Sequence, residues 1–94
     1  MPEPEEFVEE RVYTVPLRGA WVAPRGKRTP KAVRILREFV MRHMKAEEVK
    51  ITEEVNKALW RRGIQKPPRK IRIRVGKDKD GVAWVYLAEG VEVG

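Results

Sequence analysis

The side chains with the most chemistry to offer in this sequence are cations set close together. They form three clusters: Arg18 with Arg25, Lys27 and Arg28; Lys31, Arg34, Arg37, Arg42 and Lys45; and Arg61, Arg62, Lys66, Arg69, Lys70, Arg72 and Arg74. Between Arg25 and Lys45 eight bases meet one carboxylate, Glu38, and residues 61–79 hold nine bases and one acid. An ordinary solvated face mixes acids among its bases. Without them, self-repulsion costs free energy until phosphates or another counter-charge neutralise it. Arginine outnumbers lysine in these clusters, and its planar fork grips two phosphate oxygens at once and stacks on bases. Residue type and spacing therefore point to a polyanionic partner, RNA before any other.

Two tryptophans lie near these cations. Trp21 sits within the first cluster and Trp60 at the edge of the third. Each is a candidate for stacking on an unpaired base, set against the ordinary reading of a Trp packed at the rim of a core. Arg72 and Arg74 share one side of their strand, and in one register that side also carries Val82, Trp84 and Tyr86. A mixed basic and aromatic face of this kind binds RNA in some proteins and is ordinary packing against arginine stems in others.

Catalysis has little to work with. The chain has no Ser, no Cys and a single His, so the usual pairs of nucleophile and base are absent. His43 falls near the middle of an apolar helical arc, which suggests a hydrogen-bonded, partly buried packing role. Asp78 and Asp80 flank Lys79 in a turn, and two carboxylates alone make a poor metal site. No glycine-rich phosphate loop and no zinc-ligand spacing occur. The expectation is no enzyme, no cofactor, no metal and no small-molecule substrate.

Ninety-four residues allow one small core. The absence of cysteine removes disulfide staples and suits a reducing cytoplasm. Apolar runs stop far short of the roughly 20 residues a membrane span needs, and the glutamate-rich start does not resemble a signal peptide. Twenty-one Lys and Arg against fourteen Asp and Glu leave a net charge of +7. Five of the acids fall in residues 1–10, so the remaining 84 residues carry +12, from 21 bases against nine acids. A charged content of 37% also suits a thermophile's surface, but that explains the amount of charge and not its imbalance.

The positioning elements follow from the pattern. Residues 1–10 combine prolines and glutamates and are expected to form an acidic flexible tail, with a single domain over 11–94. A strand is expected over 11–17, with Pro16 at an edge or end. Two glycines, a proline and four bases make 18–29 a long exposed loop. Thr29 and Pro30 then mark the start of a helix over 30–45, capped by the threonine oxygen. Its core face holds Ala32, Val33, Ile35, Leu36, Phe39, Val40 and Met44, and its other face is cationic. A short strand over 49–51, a second helix capped by Thr52 and stopped at Gly63, and a hairpin of 70–75 with 82–88 complete the reading. The fold class is α+β, with a small, mainly antiparallel sheet covered on one face by two helices.

The strings RILREF, RHMK, WRRGI and KPPRKIRIRV, in that order within PLRGAWVAPRGKRTPKAVRILREFVMRHMK and VNKALWRRGIQKPPRKIRIRV, carry a more specific signal. Over residues 10–88 the chain resembles the archaeal and eukaryotic large-subunit ribosomal protein family thirty-one-e. Residues 3–9 and the closing VEVG lie outside the resemblance. Eukaryotic members tend to be longer, which favours an archaeal-type member. The resemblance implies a two-layer fold, no catalysis, and a structural place in cytoplasmic ribosomes, on large-subunit rRNA near the exit of the nascent-chain tunnel. Neighbouring ribosomal proteins and nascent-chain factors at the exit are the further partners it implies. The family's rRNA contacts would fall on the three clusters already picked out by charge. The rival readings are a free-standing RNA- or DNA-binding regulator and a factor-docking module at the tunnel exit.

Overall fold

The computed structural model describes residues 7–88. The elements run β1 (Phe7–Pro16), two 3-10 turns (Arg18–Val22 and Arg25–Lys27), α1 (Arg28–Met44), β2 (Glu48–Ile51), α2 (Glu53–Trp60), β3 (Lys70–Asp78) and β4 (Val82–Leu87). The four strands form one sheet in the order β1-β3-β4-β2. β3 lies antiparallel to both β1 and β4, and β2 is parallel to β4. This is the expected α+β arrangement, mainly antiparallel with one parallel pair.

Alternation along the strands decides which face is covered. Ile71, Ile73 and Val75 of β3, with Val15, Ala83 and Val85 beside them, are fully buried, while Arg72 and Arg74 between them are exposed. The helices lie on the buried side. Ala32, Leu36, Val40 and Met44 of α1 and Val55 and Leu59 of α2 complete the same core, as a 3.6-residue period demands. No helix among the described residues is long and apolar enough to cross a membrane, and no cluster of potential metal ligands occurs among them.

Several local expectations are corrected. β1 begins at Phe7 instead of residue 11, because the Phe7 ring lies directly over Gly76, where any Cβ would collide with it. Glu9 and Glu10 are therefore strand residues, and the flexible-tail expectation for residues 1–6 lies outside the described residues. The 18–29 segment is two 3-10 turns and the opening of α1, not an irregular loop. Its regularity comes from packing, since Ala20 is fully buried.

Thr29 does not cap α1, which starts one residue earlier. It is fully buried, with Oγ1 donating to Gly63 O at 2.8 Å and its N–H to Ile64 O at 3.0 Å. Thr52 does occupy the N-cap of α2, but its hydroxyl donates across to Val85 O at 2.7 Å. Both threonines thus join separate elements instead of closing their own helices. Thr29→Val keeps the shape and removes the donor to the Gly63 carbonyl, which lies on an exposed residue. The expected cost is about 0.5–1.5 kcal/mol, read in thermal denaturation as a fall of about 4–8 °C in Tm for each kcal/mol. An unchanged Tm would show that the Thr29–Gly63 bond adds nothing.

His43 makes the expected hydrogen bond, Nδ1 to Phe39 O at 2.9 Å, and its ring stacks on Phe39 at 3.9 Å with Tyr13 edge-on. It is nevertheless exposed. The apolar arc of α1 turns outward there, so the ring covers Phe39 from the solvent side.

The Asp78 carboxylate organises the hairpin turn as an Asx motif. It accepts from the N–H groups of Asp80 (2.9 Å) and Val82 (3.1 Å) and from Trp84 Nε1 (3.2 Å). These bonds, that from Val82 first, hold its pKa below the ordinary 3.8 against a counteracting loss of hydration. A carboxylate with a depressed folded pKa stabilises the fold fully above its unfolded value and loses that contribution as pH falls through the folded one. Wild type should therefore lose more stability than Asp78→Asn on acidification below 3.8. Parallel pH series of Tm measure the difference, and parallel curves would contradict it.

Candidate nucleic-acid interface

Each cationic cluster has its own scaffold. On α1, at about 100° per residue, Lys31, Arg34, Arg42 and Lys45 fall within roughly 80° of arc, opposite the buried stripe, and all four are exposed. Arg37 stands off that line, and its Nη1 donates to Val49 O at 3.0 Å, tying α1 to β2. Lys45 ends the helix in the left-handed region, with φ 53°.

The first and third clusters, over 30 residues apart in sequence, meet at one end of the molecule. Leu17 N–H donates to Arg69 O at 2.7 Å, and the two Thr29 bonds hold the start of α1 against Gly63 and Ile64. The Trp21 ring lies between these segments, with the guanidinium of Arg69 at 4.6 Å and that of Arg28 at 5.0 Å from its centre. Arg28 is further fixed by Nε donating to Ala23 O at 3.3 Å. Pro67 and Pro68 are buried, so the KPPR connector is part of the packed structure. Arg18, Arg25, Lys27, Arg61, Arg62, Lys66, Arg69 and Lys70 are all exposed around this end.

Trp21 is consequently engaged by two cations instead of offering a bare ring, and its Nε1 is buried without a hydrogen-bond partner. Trp60 is 38% exposed beside the Arg61–Arg62 pair. On the outer sheet face the register answers the question left open by sequence. Arg74 lies opposite Tyr86 and Gly76 opposite Trp84, so Arg72 and Arg74 do share their face with Val82, Trp84 and Tyr86. The Arg74 guanidinium sits 5.9 Å from the Tyr86 ring centre, and burial pushes the Tyr86 phenol pKa up despite the opposing pull of Arg74.

Among the described residues the ion pairs join Arg11 to Glu9, Lys50 to Glu48 and Lys57 to Glu53. None of these involves a cation of the three clusters. At the hairpin turn acids and bases are mixed: Glu47 N–H donates to Gly81 O beside Asp78 and Asp80, and Lys77 Nζ donates to Lys45 O at 3.3 Å. A basic end without ion pairs among the described residues suits a protein that presents one side to a polyanion.

The profile of the ribosomal protein L31e family matches residues 8–81. The chain belongs to the ribosomal protein L31e family. It is 61% identical over 84 residues to "Large ribosomal subunit protein eL31" of Methanopyrus kandleri, covering 89% of this chain and 98% of the relative. The protein of the same name from Methanothermobacter thermautotrophicus is 54% identical over 85% of this chain and 99% of its own length. That from Pyrobaculum neutrophilum is 47% identical over 95% of this chain and all of its own.

Membership of a ribosomal-protein family agrees with the expectation that this is not an enzyme. In this member of the L31e family, sequence reasoning found the cations but missed their meeting point. The signal that could have revealed it is weak: a Trp in each basic segment, and the small Thr29 and Gly63 where backbones approach.

Proposed function

We propose that this L31e-family chain is a structural constituent of the large subunit of cytoplasmic ribosomes and binds rRNA with its basic end and the outer face of α1. The observation that carries the reading is the convergence of the first and third clusters, held by Trp21 and Thr29 and free of internal ion pairs among the described residues. Phosphates supply the missing counter-charge, and release of their counterions drives binding. The rigid two-layer fold keeps the cations at fixed spacing, so contacts to the backbone set position and orientation. The names of the relatives support the large-subunit assignment.

A place near the tunnel exit, with neighbouring ribosomal proteins and nascent-chain factors as partners, rests on the family resemblance alone. Crosslinking from Arg62→Cys, an exposed position with no competing thiol in the chain, tests it within intact large subunits. Adducts to rRNA and to proteins lining the exit support the placement, and adducts remote from the exit refute it. A free-standing regulator would instead be absent from the subunits.

A further inference from the structure

Between the first 3-10 turn and the opening of α1 lies a cleft of about 530 Å³ with two kinds of wall. One is apolar, formed by Val22, Pro24 and Pro30; the other is cationic, formed by Lys27, Lys31 and Arg34. Among the described residues no acidic side chain lines it. Its size lies within the range of about 300–1,000 Å³ common for small-ligand sites. Val22 is 86% exposed, an aliphatic side chain held out at the end of its turn. The wall is rigid, because the two prolines fix their own backbone angles and Arg28 Nε bonds Ala23 O between Val22 and Pro24. Little ordering cost remains to be met on binding.

A duplex laid across this end would engage only the three cations, because its bases are stacked within the helix. The apolar wall calls for a flat, weakly polar body joined to an anion, which describes a nucleotide whose base has left its stack. We infer that the cleft receives one unpaired nucleotide of the bound RNA, its base against Val22, Pro24 and Pro30 and its flanking phosphates on Lys27, Lys31 and Arg34. This rests on the rRNA-binding reading above and adds a preference that phosphate neutralisation alone does not give.

The test uses the full chain and two RNA hairpins that differ in one respect: one carries a single bulged 2-aminopurine nucleotide and the other is fully paired. The bulged hairpin should bind about fivefold more tightly, no more than the low end of what stacking on an aromatic side chain contributes, because this wall is aliphatic. Its fluorescence should rise as the base leaves its neighbours for an aliphatic wall. Val22→Ser changes an exposed side chain, so Tm and affinity for the paired hairpin should hold while most of the preference is lost. Equal affinity for the two hairpins, or a preference untouched by Val22→Ser, overturns the inference and leaves rRNA binding standing. Adenosine 5′-monophosphate should compete only at far higher concentration; competition at equal concentration assigns the cleft to a free nucleotide and overturns it too. Binding of neither hairpin overturns both readings, and displacement of the fluorescent hairpin by an acidic, apolar peptide alone reassigns the cleft to a protein partner.

Discussion

Replacing Arg25, Arg61 and Arg62 together by alanine lowers affinity for large-subunit rRNA by about 10- to 100-fold near 0.1 M salt and flattens the salt dependence by about two to three units of slope. The three residues come from two segments that are distant in sequence and joined at one end of the fold. All three are exposed, and none is in an ion pair among the described residues. Each phosphate contact removed withholds roughly one released counterion, so slope and affinity fall together. The fold has nothing to lose by the change: Tm should stay level or rise slightly as self-repulsion eases. Filter binding over a salt series, with calorimetry on the same samples, measures both. Lys57→Ala is the control, because Lys57 is equally exposed but pairs with Glu53 at 3.0 Å. An unchanged slope in the triple variant would show that phosphates are bound elsewhere.

The second large effect belongs to Trp21. Its ring holds the first and third clusters together through Arg28 and Arg69, so Trp21→Ala removes packing and two cation–π contacts at once. A cost of about 2–4 kcal/mol is expected, below that of a fully buried Trp because this one is half-buried. That is a large part of the roughly 5–15 kcal/mol that stabilises an ordinary domain. RNA affinity should fall as well, even where the protein remains folded, because the two clusters lose their fixed spacing. Trp21→Phe separates these causes. It keeps an aromatic surface for the guanidinium groups and deletes the buried Nε1 that has no partner, so most of the stability and most of the affinity should remain. Urea unfolding and rRNA titration of both variants provide the comparison. Full affinity in a folded Trp21→Ala protein would mean that the clusters act independently.

The fold was legible wherever one period ruled a segment. Ile71, Ile73 and Val75 alternate with cations, and Ala32, Leu36, Val40 and Met44 recur at helical spacing, so β3 and the buried face of α1 could be read directly. What misled was composition. Glutamates at 9 and 10 suggested a tail, yet the contact that extends β1 is Phe7 on Gly76, a pairing across nearly 70 residues that no local pattern announces. Glycine, proline and arginine in 18–29 suggested a loop because the packing of Ala20 and Trp21 is non-local. Thr29 and Thr52 looked like caps for the same reason: the rule identifies an oxygen near a helix start and not the carbonyl it reaches.

The candidate interface divides in the same way. The bases announced themselves by number and by the lack of acids, but their union did not, since it depends on Leu17 with Arg69 and Thr29 with Gly63. Arg37 looked equivalent to its helical neighbours until its bond to Val49 O placed it between elements. Which side of the hairpin Arg72 and Arg74 share with Trp84 and Tyr86 depended on a register that either hairpin length would have satisfied.

A structural role in the large subunit is tested most directly by sedimentation of ribosomes from the source cell through a sucrose gradient, with the chain quantified by mass spectrometry before and after a high-salt wash. One copy per large subunit is expected, retained through the wash with the rRNA. Loss of the chain into the soluble fractions, or its absence from the large-subunit peak, would contradict a structural role and return the basic end to some other polyanion.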